Sequence, residues 1–372
     1  MTSPPEVAYW LALIHHSRLK LNQLKPVIHH ICLQQNQSLA VLFGMPSSEI
    51  EARFGLNVEE AQSILAAQAQ LPKAAQQLER WQAGDIRLIT RADPGYPLRL
   101  AYAMPLEQQP LLLWIVGPVT LLNEPAVAIL GSTDPTESTQ ADLRELAAAL
   151  AAEKINLVNG YGRGLERAAV EAMLETEAGR VLIFIPMGLA AFAGMARPLF
   201  KEAAAGRAAL VSPFSPSTPF KPGLAAARNV LVDHLAYTLL VPQADTETKG
   251  RAIAALNRGA SVFVGLQDSP DHRALIDAGA LLMTDSGEII EFVEQAIIDA
   301  TLQAEAGPPP GLEPISPASP AISAPTDDDF SLSLPETEPL EAGEALKILS
   351  SGGQVPEVLK RRLEQQHQLK DE

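Results

Sequence analysis

Cysteine is nearly absent: Cys32 stands alone in 372 residues. A disulfide framework and a metal site built on several thiolates are thereby excluded. No apolar run reaches the roughly 18 charge-free residues that read as a membrane-crossing helix. The opening stretch MTSPPEVAYW has neither the basic start nor the cleavage pattern of an export signal, so a cytoplasmic location is expected. Basic residues are scarce as well. Against 44 Asp and Glu there are 28 Lys and Arg, a net charge of −16 that opposes indiscriminate polyanion binding. Catalytic signatures are missing too. There is no Gly-x-Ser-x-Gly elbow, and His234, His272 and His367 lack metal-ligand spacing with a carboxylate. His15, His16, His29 and His30 form adjacent pairs in helix-like sequence, a pattern of one packed and one solvated ring. Neither enzyme chemistry, nor a metal, nor a cofactor is expected.

The negative charge is unevenly spread. Residues 301–346 carry nine acidic residues and no basic one, and the stretch PPPGLEPISPASPAISAPTDDDFSLSLPETEP is rich in Pro, Ser and Asp. It reads as a disordered linker, placed at 299–340. Without those nine charges the rest of the chain carries −7, which leaves room for a local basic groove.

Residues 1–82 place apolar side chains three or four apart and read as a small all-helical domain. Ser47 and Asn57 are its expected helix caps, Asn57 with Glu60 in a capping-box pattern. A connecting extension, 83–125, holds the strand and turn DIRLITRADPGYPLRL and a second strand, LLLWIVG. From 126 to 298 predominantly apolar segments (AVAIL, INLV, RVLIFIPM, AALV, YTLLV, SVFV) alternate with amphipathic ones. That alternation predicts a Rossmann-like αβα core, a parallel sheet covered on both faces. Residues 341–372 read as a short helical segment, compatible with a degenerate winged helix or a docking helix.

Ligands of open parallel sheets sit beyond the carboxyl ends of the strands. Several loops fall there. Gly131-Ser132-Thr133 offers amides and hydroxyls at a helix start, suited to a phosphate. NGYGRGLE sets Gly160, Gly162 and Gly164 on alternate positions, with Tyr161 and Arg163 between them. Glycines let a backbone approach an anion closely and an arginine forks onto it. The spacing is neither the dinucleotide fingerprint nor a P-loop. Lys221 and Arg228 flank a helix start, and Thr246–Arg251 adds Lys249 and Arg251. Taken together these residues form an anion-binding edge without evident catalysis.

In that order the motifs resemble the DNA-processing protein A (DprA, also Smf) family over most of residues 7–298. The match begins with the helical region, which in that family is sterile-alpha-motif-like, and with GDIRLITRADPGYPLRL. It continues through VAILGS and the glycine loop around Arg163. The family's glycine-serine-arginine opening matches as Gly131, Ser132 and Thr133, its arginine-asparagine-arginine segment as Arg228, Asn229 and Val230. Its serine-glycine-serine loop is replaced by Asp245–Gly250. The resemblance implies a non-enzymatic, homodimeric protein that protects single-stranded DNA and helps load the RecA recombinase. Arg163, Arg228 and Lys221 would clamp phosphate, the loop glycines would bring amides close, and Tyr161 or Phe220 would stack on bases. Two alternatives stand beside it. One is the same scaffold without DNA binding, serving a nucleotide or a protein partner. The other is a nucleotide phosphoribohydrolase of the lysine-decarboxylase-like type, whose Pro-Gly-Gly-x-Gly-Thr loop the sequence lacks.

Overall fold

In the computed structural model of the chain, residues 4–306 are described. Contacts divide the chain into Met1–Ser333 and Leu334–Glu372; the second unit, with the expected C-terminal helical segment and most of the expected linker, lies outside the described residues.

The first region is helical: α1 (Glu6–His16), α2 (Leu21–Ile28) running into a π-helical turn at His29–Gln34, α3 (Ala40–Phe43), α4 (Ser47–Phe54), α5 (Val58–Ala67) and α6 (Leu71–Gln82). Asn57 caps α5 in a reciprocal box. Its Oδ1 accepts from the Glu60 amide at 2.9 Å and its own amide donates to Glu60 Oε2 at 2.8 Å. Ser47 is not a cap. Pro46 holds that position in extended backbone, its fixed φ suiting a helix entry. The Ser47 hydroxyl instead donates to Glu51 inside the helix.

Strands β1 (Arg87–Thr90) and β2 (Leu112–Val116) flank α7 (Leu98–Ala103). Then follow β3 (Ala126–Ile129), α8 (Glu137–Ala152), β4 (Asn156–Asn159), α9 (Leu165–Glu175) and β5 (Val181–Phe184). Beyond them come α10 (Leu189–Phe192), α11 (Arg197–Ala204), β6 (Ala208–Ser212), α12 (Pro222–Leu235) and β7 (Leu239–Val241). The series ends with α13 (Thr246–Asn257), β8 (Val262–Val264), α14 (Pro270–Asp277), β9 (Leu281–Leu282) and α15 (Ser286–Ala306). Helix α15 therefore runs past 298 into the segment expected to be linker. Ile297, Ile298 and Leu302 extend its apolar spacing, and the first proline comes only at Pro308.

All strands form one sheet of order β1-β2-β6-β5-β4-β3-β7-β8-β9. From β6 to β9 every pairing is parallel, but β1–β2 and β2–β6 are antiparallel. The strands of residues 126–298 thus form the expected parallel sheet, and β1 and β2 of the preceding extension add an antiparallel edge that makes the whole sheet mixed. β2 and β3 are not sheet neighbours, because β6, β5 and β4 stand between them. The link Gly117–Pro125 holds a single 3₁₀ turn, Val119–Leu122, and β2, antiparallel to β6, runs opposite to β3.

Alternation along the strands divides the core. Val127, Ile129, Leu157, Ile183 and Leu210 face one layer, while Ala128, Val158, Leu182, Phe184 and Val211 face the other. The first layer is continuous with the helical region, because Trp10, Leu13 and Ile64 belong to the same cluster as Leu88, Leu112 and Trp114. The helical region is consequently joined to the sheet through shared core. At the far edge β9 leaves Leu281 and Leu282 46% and 42% exposed.

Candidate anion-binding cleft

The chain builds outward from β3 through β4 and β5 to β6, then returns to the other side of β3 as β7. The strand order therefore switches between β3 and β7, the place at the strand ends where ligands of such sheets sit. A cleft of about 150 Å³ lies there, lined by residues of the loops after β3, β4 and β7 and by α12.

Two glycines allow the loops to close on one another. Gly164 adopts φ 72°, ψ −130°, a conformation open essentially only to glycine. A Cβ there would lie 2.2 Å from the Ser132 carbonyl oxygen. That carbonyl accepts the Leu165 amide at 3.0 Å, which fixes α9 against the β3 loop. At Gly160 a Cβ would stand 1.2 Å from Nη1 of Arg228. The missing side chain is what lets the guanidinium pass over the end of β4. Asn159, wholly buried, ties the two strand ends together by donating to the carbonyls of Ile129 at 2.9 Å and Glu166 at 3.3 Å.

Behind the cleft lies a chain of buried charges. Arg251 donates from Nε and Nη2 to Asp233 at 2.6–3.1 Å and from Nη1 to Glu166 Oε1 at 2.7 Å. Burial opposes its charge, but Asp233 and Glu166 outweigh burial and raise its pKa. Arg228, only 5% exposed, lies 3.9 Å from Glu166 Oε2 and donates to the Phe184 carbonyl at 3.4 Å. Burial lowers its pKa, the Glu166 carboxylate offsetting part of the effect, and its Nε has no hydrogen-bond partner. Neighbouring Asn229 lines the same cleft with a buried, unpartnered Oδ1.

The expected site residues separate into groups. Gly131, Gly162, Arg163 and Arg228 line the cleft, and Gly160 and Gly164 shape it. Arg163 makes no hydrogen bond, ion pair or ring contact with the described residues, so its charge is free. Tyr161 sits beside it in the left-handed region at φ 56°, its ring 5.0 Å from the Arg167 guanidinium. Burial raises its hydroxyl pKa.

Other expectations need correcting. The amides of Ser132, Thr133 and Asp134 are already bonded within the protein. Ser132 N donates to the Gln243 carbonyl at 2.8 Å, Thr133 N to Asp245 Oδ2 at 3.2 Å, and Asp134 N to the Ser132 hydroxyl at 3.1 Å. Those bonds zip the β3 loop to the β7 loop. Lys249 is paired with Asp271 at 2.6 Å and does not line the cleft. Lys221 is the N-terminal cap position of α12 and is likewise absent from the lining. Phe220 packs toward the hydrophobic core.

Sequence reasoning left Glu166, Asp233, Asn229 and Asp245 out of the site and gave Arg251 only a marginal place. Glu166 followed the glycine loop and was a readable signal. Asp233 and Arg251, on different helices, share no local pattern. Among the described residues no group of three or more His, Cys, Asp or Glu side chains is placed to hold a metal ion. Nor is any described helix long and apolar enough to cross a membrane.

A family model described as DNA recombination-mediator protein A matches residues 87–294. Among curated proteins, a putative DNA processing protein DprA of Mycobacterium tuberculosis (strain CDC 1551 / Oshkosh) is 28% identical over 254 residues, covering 61% of this chain and 62% of that protein. Protein Smf of Synechocystis is 27% identical over 276 residues, covering 72% of this chain and 66% of that one. The chain thus spans somewhat less than two thirds of the length of these relatives. Among solved structures, DNA processing protein A (DprA) from Streptococcus pneumoniae aligns with TM-score 0.61 at 21% identity, covering 76% of this chain and 97% of that one. That likeness speaks to the fold.

Proposed function

The chain belongs to the DNA recombination-mediator protein A family, and from that premise we propose that it binds single-stranded DNA across the cleft between β3 and β7. It acts as a binding protein without a reaction of its own, shielding the strand and assisting a recombinase of the RecA type, in the cytoplasm and as a homodimer. The exposed leucines of edge strand β9 support self-association, since an unpaired apolar edge favours pairing with another chain. The observation that carries the reading is Arg163, a half-buried cation that lines the cleft without an internal partner among the described residues, set between Gly162 and Gly164. The cleft's size supports an extended ligand. At about 150 Å³ it is smaller than the roughly 300–1,000 Å³ of pockets that enclose small molecules. It suits a phosphate of a strand whose remainder lies outside. Tyr161 is positioned to add stacking on a base.

The test is anisotropy of a fluorescent poly-dT oligonucleotide at low and moderate salt, with wild type and Arg163→Ala. Salt-sensitive binding is expected, weakened in the variant with a salt slope shallower by about 0.7, the share of one phosphate contact on a single strand. Absence of wild-type binding at low salt refutes the reading.

One observation favours a second reading, a scaffold that serves a nucleotide or protein partner instead. Glu166, Asp245 and Glu247 line the cleft opposite Arg163, Arg228 and Arg251, so the lining carries no excess positive charge. In that case a mononucleotide or a partner protein, and not poly-dT, binds at low salt. A phosphoribohydrolase activity has no such observation behind it.

A further inference from the structure

The carboxylate of Glu166 occupies the position where the cleft's donors converge. Oε2 accepts the Gly162 amide at 2.9 Å and lies 3.9 Å from Arg228 Nη1, while Oε1 accepts Arg251 Nη1 at 2.7 Å. A glycine-loop amide and two arginines directed at one pair of oxygens is the donor set that a phosphate would take. A Cβ at position 162 would stand 2.6 Å from Oε2 and crowd the carboxylate. All three side chains line the cleft and are therefore reachable from it. Arg228 also keeps an unsatisfied Nε although its side chain is only 7% exposed.

We propose that Gly162, Arg228 and Arg251 form a phosphate subsite which the chain fills with its own Glu166 carboxylate, so that an incoming phosphate must displace it. The inference rests on the reading of the cleft as a phosphate-binding site and deepens it. Charge balance makes the reason plain. Arg228 and Arg251 face Asp233 and Glu166, two positive against two negative buried side chains, with the more exposed Arg258 also 3.9 Å from Asp233. Arg251 is already satisfied by Asp233 through two nitrogens. Neutralising Glu166 leaves Arg228 as the unpaired charge, facing the cleft. Glu166 thereby sets a threshold: a free phosphate ion competes poorly with a tethered carboxylate, whereas a strand anchored at Arg163 delivers its phosphate at high effective concentration.

The deciding variant is Glu166→Gln, which keeps the shape and an acceptor for the Gly162 amide but removes the charge. Binding of poly-dT and of inorganic phosphate is measured on the full chain, by anisotropy and by the rise in melting temperature with phosphate concentration. Both ligands are expected to bind about tenfold tighter or better than to wild type. A positioning role for Glu166 has the opposite sign, because Arg228 would lose the group that orients it. Equal or weaker binding by the variant overturns the proposal. Should wild type bind no DNA while the variant gains phosphate binding, the subsite stands and the DNA reading falls. A second measurement needs no variant: in ¹⁵N-glycine-labelled wild type, the Gly162 amide resonance is expected to shift when phosphate or oligonucleotide displaces the carboxylate. An unshifted resonance at saturation also overturns the proposal.

Discussion

Gly160→Ala tests whether Arg228 depends on the bare backbone at the end of β4. The new methyl would fall 1.2 Å from Nη1, 2.0 Å from Cζ and 2.8 Å from Nε of Arg228. Nothing else stands as close, so the guanidinium and not the strand must give way. The cleft that it already lines gives it room to move. Moving there forfeits the Phe184 carbonyl at 3.4 Å and the Glu166 carboxylate at 3.9 Å, and overpacking of this kind costs about 1–3 kcal/mol. Glu166 keeps Arg251, which holds the penalty below the cost of orphaning a buried charge. The assay is urea unfolding of wild type, Gly160→Ala, Arg228→Ala and the double variant. Once Arg228 has been expelled, truncating it loses little, so the two substitutions should couple by more than the 0.3–0.5 kcal/mol that bounds additive behaviour. Additive losses would refute the account of Gly160 as the seat of Arg228.

Other substitutions probe the remaining parts. His272 is wholly buried, its Nδ1 on the Gly265 carbonyl at 2.8 Å and its Nε2 accepting the Ala244 amide at 2.9 Å. His272→Ala leaves both backbone groups without their partner and should cost about 2–5 kcal/mol in urea unfolding. Lys249→Ala should leave oligonucleotide affinity and its salt slope unchanged, since Asp271 already neutralises that lysine. Acid should weaken the fold through His15, whose pKa is lowered to about 4, first by burial and then by His16. Above about 6.5 the imidazole is neutral in both states. As pH falls from there to about 4 the unfolded chain takes up the proton first, so stability declines through that window. His15→Leu should flatten that part of the stability–pH curve.

Much of the fold was legible because parallel strands buried on both faces have a conspicuous sequence form. AVAIL, INLV and YTLLV are mostly apolar, without the alternation of a strand that faces water on one side, and each is followed by a helical period. The antiparallel edge had no such local sign. LLLWIV looks like any buried strand, and its partner β6 lies nearly a hundred residues further on. The helix across 299–306 was obscured by composition: the acidic, proline-rich stretch begins after it, and its own apolar spacing is that of α15.

At the site, sequence spacing revealed which residues converge but not which of them remain available. Arg163, Arg228 and Lys249 are equivalent as letters, yet Arg163 lies in a loop, Arg228 in the middle of α12 and Lys249 in the first turn of α13. What separates them is the position of carboxylates distant in sequence. Asp271 takes Lys249, and Glu166 with Asp233 holds the pair of buried arginines. Arg163 escapes because its neighbours Gly162 and Gly164 carry no side chains, and because Glu166, the nearest acid along the chain, is turned inward to Arg251 and the Gly162 amide. Net charge is therefore a poor guide to polyanion affinity in this protein. An acidic chain can retain an anion site if its internal acids are paired with buried bases and one cation is left outside the pairing. The glycines obey the same logic. Gly160 makes space for Arg228, Gly162 for the carboxylate and Gly164 for the Ser132 backbone, so the alternate spacing of the motif serves three separate contacts around a single cleft.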